Sequence, residues 1–155
     1  MRGYLELVVG LGVFFLSVPA FGEAAQSAHC QPASFQYVGT GERAFPKEKV
    51  HFVDFRIANK GTKPIRLFVA TAWGVTMVYE RSVELQEKME DGWVPQLDLV
   101  ELRPPGKMIV IPPAMAWSFS FPFGMSTESS WRYRVFRLRV VSTVGCAYVS
   151  DTFSP

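Results

Sequence analysis

The sequence has few of the residues that usually carry chemistry. Its 155 residues include only two histidines and two cysteines. It has no Gly-x-Ser-x-Gly motif for a serine nucleophile, and its glycines lie in turns rather than in a phosphate-binding loop. On a strand, His51 and Asp54 would point to opposite faces. The sequence therefore predicts no catalytic residue, no cofactor and a protein that is not an enzyme. A hydrolase with an unrecognised loop site is the more distant alternative.

Metal ligands are also sparse, because neither cysteine has a second cysteine or histidine at ligand spacing. Methionine thioethers favour Cu(I), and five methionines follow the first residue: Met77, Met89, Met108, Met115 and Met125. None belongs to a Met-x-Met or His-x-x-Met cluster, so we interpret them as core residues. An exported copper-handling protein that uses His51 and these methionines stays an alternative.

The charge is small and the apolar content is high. The formal net charge is +2, which gives no reason to expect nucleic acid as a partner. Apolar residues make up 48% of the chain and phenylalanine occurs thirteen times. This composition predicts a single domain with a packed core, rich in strands.

No apolar run is long enough for an ordinary membrane-spanning helix, which needs about 20 residues. A short apolar run at 7–18 follows Arg2 and precedes small residues, which predicts a signal peptide over residues 1–22. Cleavage is expected after Gly22 or, alternatively, after Ala24. An N-terminal segment at 23–33 then leads into the domain. The predicted location is periplasmic or secreted; the alternative is an uncleaved N-terminal segment that anchors the protein in the membrane.

Cys30 and Cys146 are an isolated pair. In an oxidising compartment such a pair predicts one disulfide bond. Two separate buried thiols are the alternative.

Apolar and polar residues alternate through most of the chain, which is typical of strands. The candidate strands, several of them short, are 34–38, 51–57, 64–71, 75–79, 83–88, 97–102, 108–111, 116–123, 131–141 and 147–149. Residues 39–49 are polar and predict a loop. Asp91 and Gly92 predict a hairpin turn, with Trp93 on the return strand. Residues 34–155 are thus predicted to form an antiparallel β-sandwich of seven to nine strands.

The segment WRYRVFRLRV, residues 131–140, combines four arginines with large apolar residues. Its alternation changes phase near Val135, and a β-bulge there would place all four arginines on one face. That face is either a solvated cationic surface or a site that binds an anion, because the arginine fork suits carboxylate and phosphate. The candidate binding residues are Arg132, Arg134, Arg137 and Arg139, together with Trp93.

Several turn motifs resemble those of small exported bacterial domains of immunoglobulin-like or fibronectin-like sandwich type. They are FRIANKGTKPIRLF (55–68), DGW (91–93), PPG (104–106) and YVSDTF (148–153). The resemblance implies an immunoglobulin-like fold and no catalytic residues. The expected function is a non-catalytic binding module of the bacterial cell envelope, whose partner is a protein or an anionic envelope component.

Overall fold

The computed structural model describes residues 29–44, 49–72, 74–96, 106–123 and 133–154. They contain ten strands and one short 3-10 turn: β1 (Ala33–Ala44), β2 (Lys49–Asn59), β3 (Ile65–Ala72), β4 (Val75–Val78), the turn Glu80–Ser82, β5 (Val83–Met89), β6 (Gly92–Pro95), β7 (Lys107–Ile111), β8 (Ala116–Pro122), β9 (Phe136–Val141) and β10 (Ala147–Val149). The ten strands that the structure describes exceed the predicted seven to nine, and they include β6, the return strand of the predicted hairpin. The predicted signal peptide, the predicted strand at 97–102 and Arg132 lie outside the described residues.

The strands pair antiparallel in three sheets. Their orders are β1-β2-β8, β10-β9-β5-β6 and β4-β3-β7. Strands of all three sheets contribute side chains to one hydrophobic core. The predicted all-β, antiparallel fold is therefore confirmed. Within the ranges that the structure describes, no helix has the length and apolar content to cross a membrane.

Strand β2 shows how the alternating sequence builds the core. Its inward residues Val53, Phe55 and Ile57 are buried, whereas Arg56 between them is exposed. β8 pairs with β2 so that Phe119 lies opposite Phe55, and their ring centroids are 5.7 Å apart. Each such buried side chain contributes about 1.5–3 kcal/mol relative to its exposed state. Ile65, Leu67 and Val69 of β3 are buried in the same alternating way.

Strand β1 is longer than the sequence predicted. Residues 39–44 were expected in a loop, but they pair with β2 as far as Ala44 opposite Lys49. The register shifts between Tyr37 and Gly39, which marks a bulge in β1. β1 lies at the edge of its sheet. Polar side chains can stay in water there while the backbone still pairs, so a polar sequence does not prevent a strand.

Strand β9 lacks the predicted bulge at Val135. Its pairing with β5 runs without a shift from Val140 opposite Val83 to Phe136 opposite Glu87. The Lys88 N–H continues the ladder by donating to the carbonyl of Val135. Side chains therefore keep a strict period of two, and Arg134 points to the opposite face from Arg137 and Arg139. The prediction that these arginines share one face is wrong for Arg134.

The predicted disulfide joins Cys30 to Cys146, across a sequence separation of 116 residues. The two Cα atoms are 5.4 Å apart, within the usual range for such a bond. Cys146 belongs to the buried core, and Cys30 packs against it. The bond ties the segment before β1 to the turn between β9 and β10.

Asn59 stabilises the turn between β2 and β3 through hydrogen bonds of its side chain. Its side chain is fully buried. Its amide nitrogen donates to the carbonyls of Lys63 and Ile111, at 2.8 and 2.9 Å. Its side-chain oxygen accepts a hydrogen bond from the Gly61 N–H at 2.9 Å. One side chain thus holds the turn against both β2 and β7.

We expect Asn59→Ala to lower the free energy of unfolding by about 2 kcal/mol, since buried backbone groups lose their partners. Urea unfolding followed by tryptophan fluorescence measures this loss. Gln36→Ala is the control, because Gln36 is exposed on β1, and should change the free energy by less than about 0.5 kcal/mol. An equally small effect of Asn59→Ala would show that other contacts hold the turn.

Candidate functional site

The outer face of β9, β5 and β6 carries a cluster of cations around one tryptophan, which we call the arginine face. It consists of Glu84, Gln86, Lys88, Trp93, Arg137 and Arg139. The antiparallel register creates it: Arg139 lies opposite Glu84, Arg137 opposite Gln86, and Trp93 opposite Lys88. Because β9 alternates, Phe136, Leu138 and Val140 are buried on the other side of the same strand. The packed core therefore fixes the position of both arginines.

A row of side-chain hydrogen bonds links the two arginines. Arg137 Nε donates to Gln86 Oε1 at 2.7 Å, and Gln86 Nε2 donates to Glu84 Oε1 at 2.9 Å. Arg139 Nη1 in turn donates to Glu84 Oε2 at 3.3 Å. Gln86 is itself buried. This row holds the guanidinium groups in defined positions, which lowers the entropy that they lose on binding a partner.

Trp93 contacts two cations. The Arg137 Cζ atom is 4.2 Å from the centroid of its ring, and the Lys88 Nζ atom is 5.5 Å from it. Both distances are within the range of cation–π attraction. The indole thus positions the Arg137 guanidinium in addition to its hydrogen bond with Gln86. The arginine face carries three cations and one carboxylate, so its own charge is positive.

Arg134 has a different role from Arg137 and Arg139. Its guanidinium donates two hydrogen bonds to the carboxylate of Glu87, one from Nε and one from Nη2. The Glu87 side chain is only 6% exposed, and that of Arg134 is 31% exposed. Glu87 also accepts a hydrogen bond from Gln96 at 2.9 Å. Arg134 therefore compensates a buried carboxylate on the inner side of β5.

The structure brings together three of the five residues that the sequence nominated, namely Arg137, Arg139 and Trp93. It separates Arg134 from them, and Arg132 is outside the described residues. Sequence reasoning missed Glu84, Gln86 and Lys88. Their alternation along β5 predicts a shared face, but only the pairing of β5 with β9 shows that the arginines lie opposite them.

The other candidate residues occupy separate places. His51 Nε2 lies 3.8 Å from Glu42, whereas Asp54 accepts a hydrogen bond from the Ser120 hydroxyl. His51 and Asp54 thus have different partners. Met77 is fully buried in a small second core with Val50 and Phe52. Across the ranges that the structure describes, no three His, Cys, Asp or Glu side chains are grouped as a metal site would require.

Lys49 Nζ donates a hydrogen bond to Glu42 Oε1 at 2.8 Å, where β1 ends and β2 begins. This hydrogen bond is the main cause that lowers the pKa of Glu42, and it raises the pKa of Lys49. Both groups are in water. The pair is therefore a solvated contact between strands and not a site with tuned acid–base chemistry.

Comparison with known proteins leaves the family open. No protein-family model matches the chain, and no curated protein has a significantly similar sequence. Among solved structures, one similar chain is a structural-genomics target named SoR45, with 14% identity, a TM-score of 0.33 and coverage of 79% of this chain and 81% of that one. Another is a Bordetella pertussis protein assigned the name ApaA, with 13% identity, a TM-score of 0.36 and coverage of 79% and 93%. Scores this low carry no argument about function.

Proposed function

We propose that the protein is a non-catalytic binding module that holds an anionic partner on the arginine face. The observation that carries this proposal is the row Arg137–Gln86–Glu84–Arg139, which fixes two guanidinium groups side by side on an outer sheet face. Guanidinium groups form strong, charge-assisted hydrogen bonds with carboxylate and phosphate oxygens. The partner is a protein with an acidic surface or an anionic component of the cell envelope.

The proposed location is the periplasm or the extracellular space of a bacterium. The disulfide between Cys30 and Cys146 supports an oxidising compartment. The proposed signal peptide at 1–22 would provide export. For the fold, we propose an immunoglobulin-like sandwich, and the antiparallel pairing of the strands around one shared core supports this proposal. In such a sandwich, an outer sheet face is open to a partner.

The variant Arg137→Gln/Arg139→Gln tests the binding proposal. We expect it to weaken binding of a fluorescein-labelled octaglutamate peptide by about tenfold or more, because each charge-assisted hydrogen bond contributes about 1.5–3 kcal/mol. Fluorescence anisotropy at low ionic strength measures the affinity. Added salt should weaken binding by the wild type as well.

Arg56→Gln/Lys107→Gln is the matched control, since both residues are exposed and lie outside the arginine face. It removes the same charge and should change the affinity by less than about twofold. Octaglutamine serves as the uncharged probe. Equal losses in the two double variants would mean that binding follows net charge alone, and the arginine face would then be only a solvated surface.

A further inference from the structure

A cleft of about 340 Å³ lies beside the disulfide, on a different part of the molecule from the arginine face. Three segments form it: residues 29–31 before β1, residues 63–66 at the start of β3, and residues 142–144 in the turn after β9, with Tyr148 of β10. The disulfide joins Cys30 in the first segment to Cys146, which lies two residues after the third segment. The cleft has the volume of a site for a small organic molecule.

The cleft is positively charged. Lys63 and Arg66 line it, together with His29, and its described lining contains no carboxylate. In the part of the chain that the structure describes, neither Lys63 nor Arg66 forms an ion pair. Two cations on one wall of a concave site concentrate anions there. The charge of the cleft is thus not compensated by the protein's own described residues.

Hydrogen bonds hold the walls of the cleft in place. The Thr143 N–H donates to the Arg66 carbonyl at 3.0 Å, which fixes the turn after β9 against β3. Gln31 Oε1 accepts from the N–H groups of Thr62 and Lys63 at 3.0 and 2.8 Å, which fixes the first segment against the second. The cleft is therefore formed before any ligand binds.

Tyr148 and Val144 give the cleft an apolar part. The Tyr148 side chain belongs to the buried core. Burial raises the pKa of its phenol, and a hydrogen bond with the backbone of Gln31 partly opposes the rise. The phenol is thus neutral and polar at neutral pH. Val144 is exposed at the rim, where it can cover a short alkyl chain.

We infer that this cleft binds a small anion whose carboxylate or phosphate contacts Lys63 and Arg66 and whose short alkyl chain lies against Val144 and Tyr148. This is a second site, independent of the arginine face. Arginine and lysine both bind carboxylate and phosphate oxygens. The positive charge of the cleft does not discriminate between a carboxylate and a phosphate, so the experiment tests both.

Hexanoate and n-hexyl phosphate are the probes, and 1-hexanol is the uncharged comparison. In 1H–15N NMR titrations of the disulfide-bonded protein, we expect saturable shifts of the amides of Lys63, Thr143 and Val144 with both anions. Lys63→Gln/Arg66→Gln should weaken binding by about tenfold or more. Arg56→Gln/Lys107→Gln and Arg137→Gln/Arg139→Gln should each change it by less than about twofold. The tighter of the two anions identifies the group that the site prefers.

Three results would overturn the inference. One is the absence of saturable shifts with either anion. Another is binding of 1-hexanol as tight as that of hexanoate, which would mean that the cations do not contribute. The third is an equal loss of affinity in the cleft variant and in the control variants. Circular dichroism of each variant before titration verifies that the substitutions leave the fold and the melting temperature unchanged.

Discussion

Replacing both cysteines, as Cys30→Ala/Cys146→Ala, should lower the free energy of unfolding by about 4–5 kcal/mol. The bond closes a loop with a sequence separation of 116 residues. A crosslink over such a long loop removes many conformations from the unfolded chain, and the chain-entropy model gives about 4.7 kcal/mol for 100 residues. The loss is a large part of the 5–15 kcal/mol that keeps a typical domain folded. Guanidinium unfolding of the variant and the wild type measures it.

Reduction of the wild-type protein is the matched control for this prediction. The chain has two cysteines in total, so a reducing agent opens only this bond. Reduced wild type and the double variant should unfold at the same denaturant concentration. A loss below about 1 kcal/mol in both samples would mean that the unfolded chain is already compact without the bond.

The second large effect is expected for Arg134→Met. This change removes the cation from Glu87, whose side chain is 6% exposed, and leaves a carboxylate uncompensated. Removing one partner of a buried ion pair costs about 3–5 kcal/mol. Arg134 is partly in water, so we expect the lower part of that range. Thermal and chemical unfolding of the disulfide-bonded variant measure the loss.

A double variant separates the effect of the Arg134 charge on stability from the effect of its packing. Glu87→Gln/Arg134→Met removes both charges and keeps an oxygen acceptor for Gln96. It should recover most of the stability that Arg134→Met loses, because no unpaired charge stays buried. If the double variant is as unstable as Arg134→Met, the contacts of the Arg134 side chain with its surroundings, such as the Phe136 ring, carry the effect instead.

Much of the fold could be predicted from the sequence because its central strands are buried on one face and alternate clearly. β2 and β3 are such strands. The edge strand β1 was missed in part, since its residues 39–44 are exposed and need no apolar pattern to pair. The cysteine pairing was predictable because the chain has two cysteines and their alternative states are few.

The arginine segment shows where sequence reasoning fails. The change of phase near Val135 predicts a bulge, because a bulge would place all four arginines on one face. The structure keeps the strand regular and places Arg134 against the buried carboxylate of Glu87, a partner 47 positions away in the sequence. The alternation of neighbouring residues cannot indicate a partner that is so distant in the sequence. The same holds for the cleft, whose three segments are distant in the sequence and are held together by the disulfide and by hydrogen bonds.

Arg137 and Arg139 are the part of the predicted site that the regular strand preserves. Their shared face follows from the period of two, and the pairing with β5 adds the groups that orient them. Arg134→Met and Arg137→Gln/Arg139→Gln should therefore change different properties of the protein. The first variant should unfold more easily, whereas the second should fold like the wild type and bind anions weakly.

The most direct test of the binding module is native mass spectrometry of the protein isolated from the envelope fraction of its own host. We expect a chain that starts after Gly22 or Ala24, with a mass lower by two hydrogens for the disulfide and a bound acidic protein or polyanion. The same partner should be retained by Arg56→Gln/Lys107→Gln and lost by Arg137→Gln/Arg139→Gln. A reduced chain that retains its leader, a stoichiometric copper adduct, or a partner retained equally by both variants would contradict it.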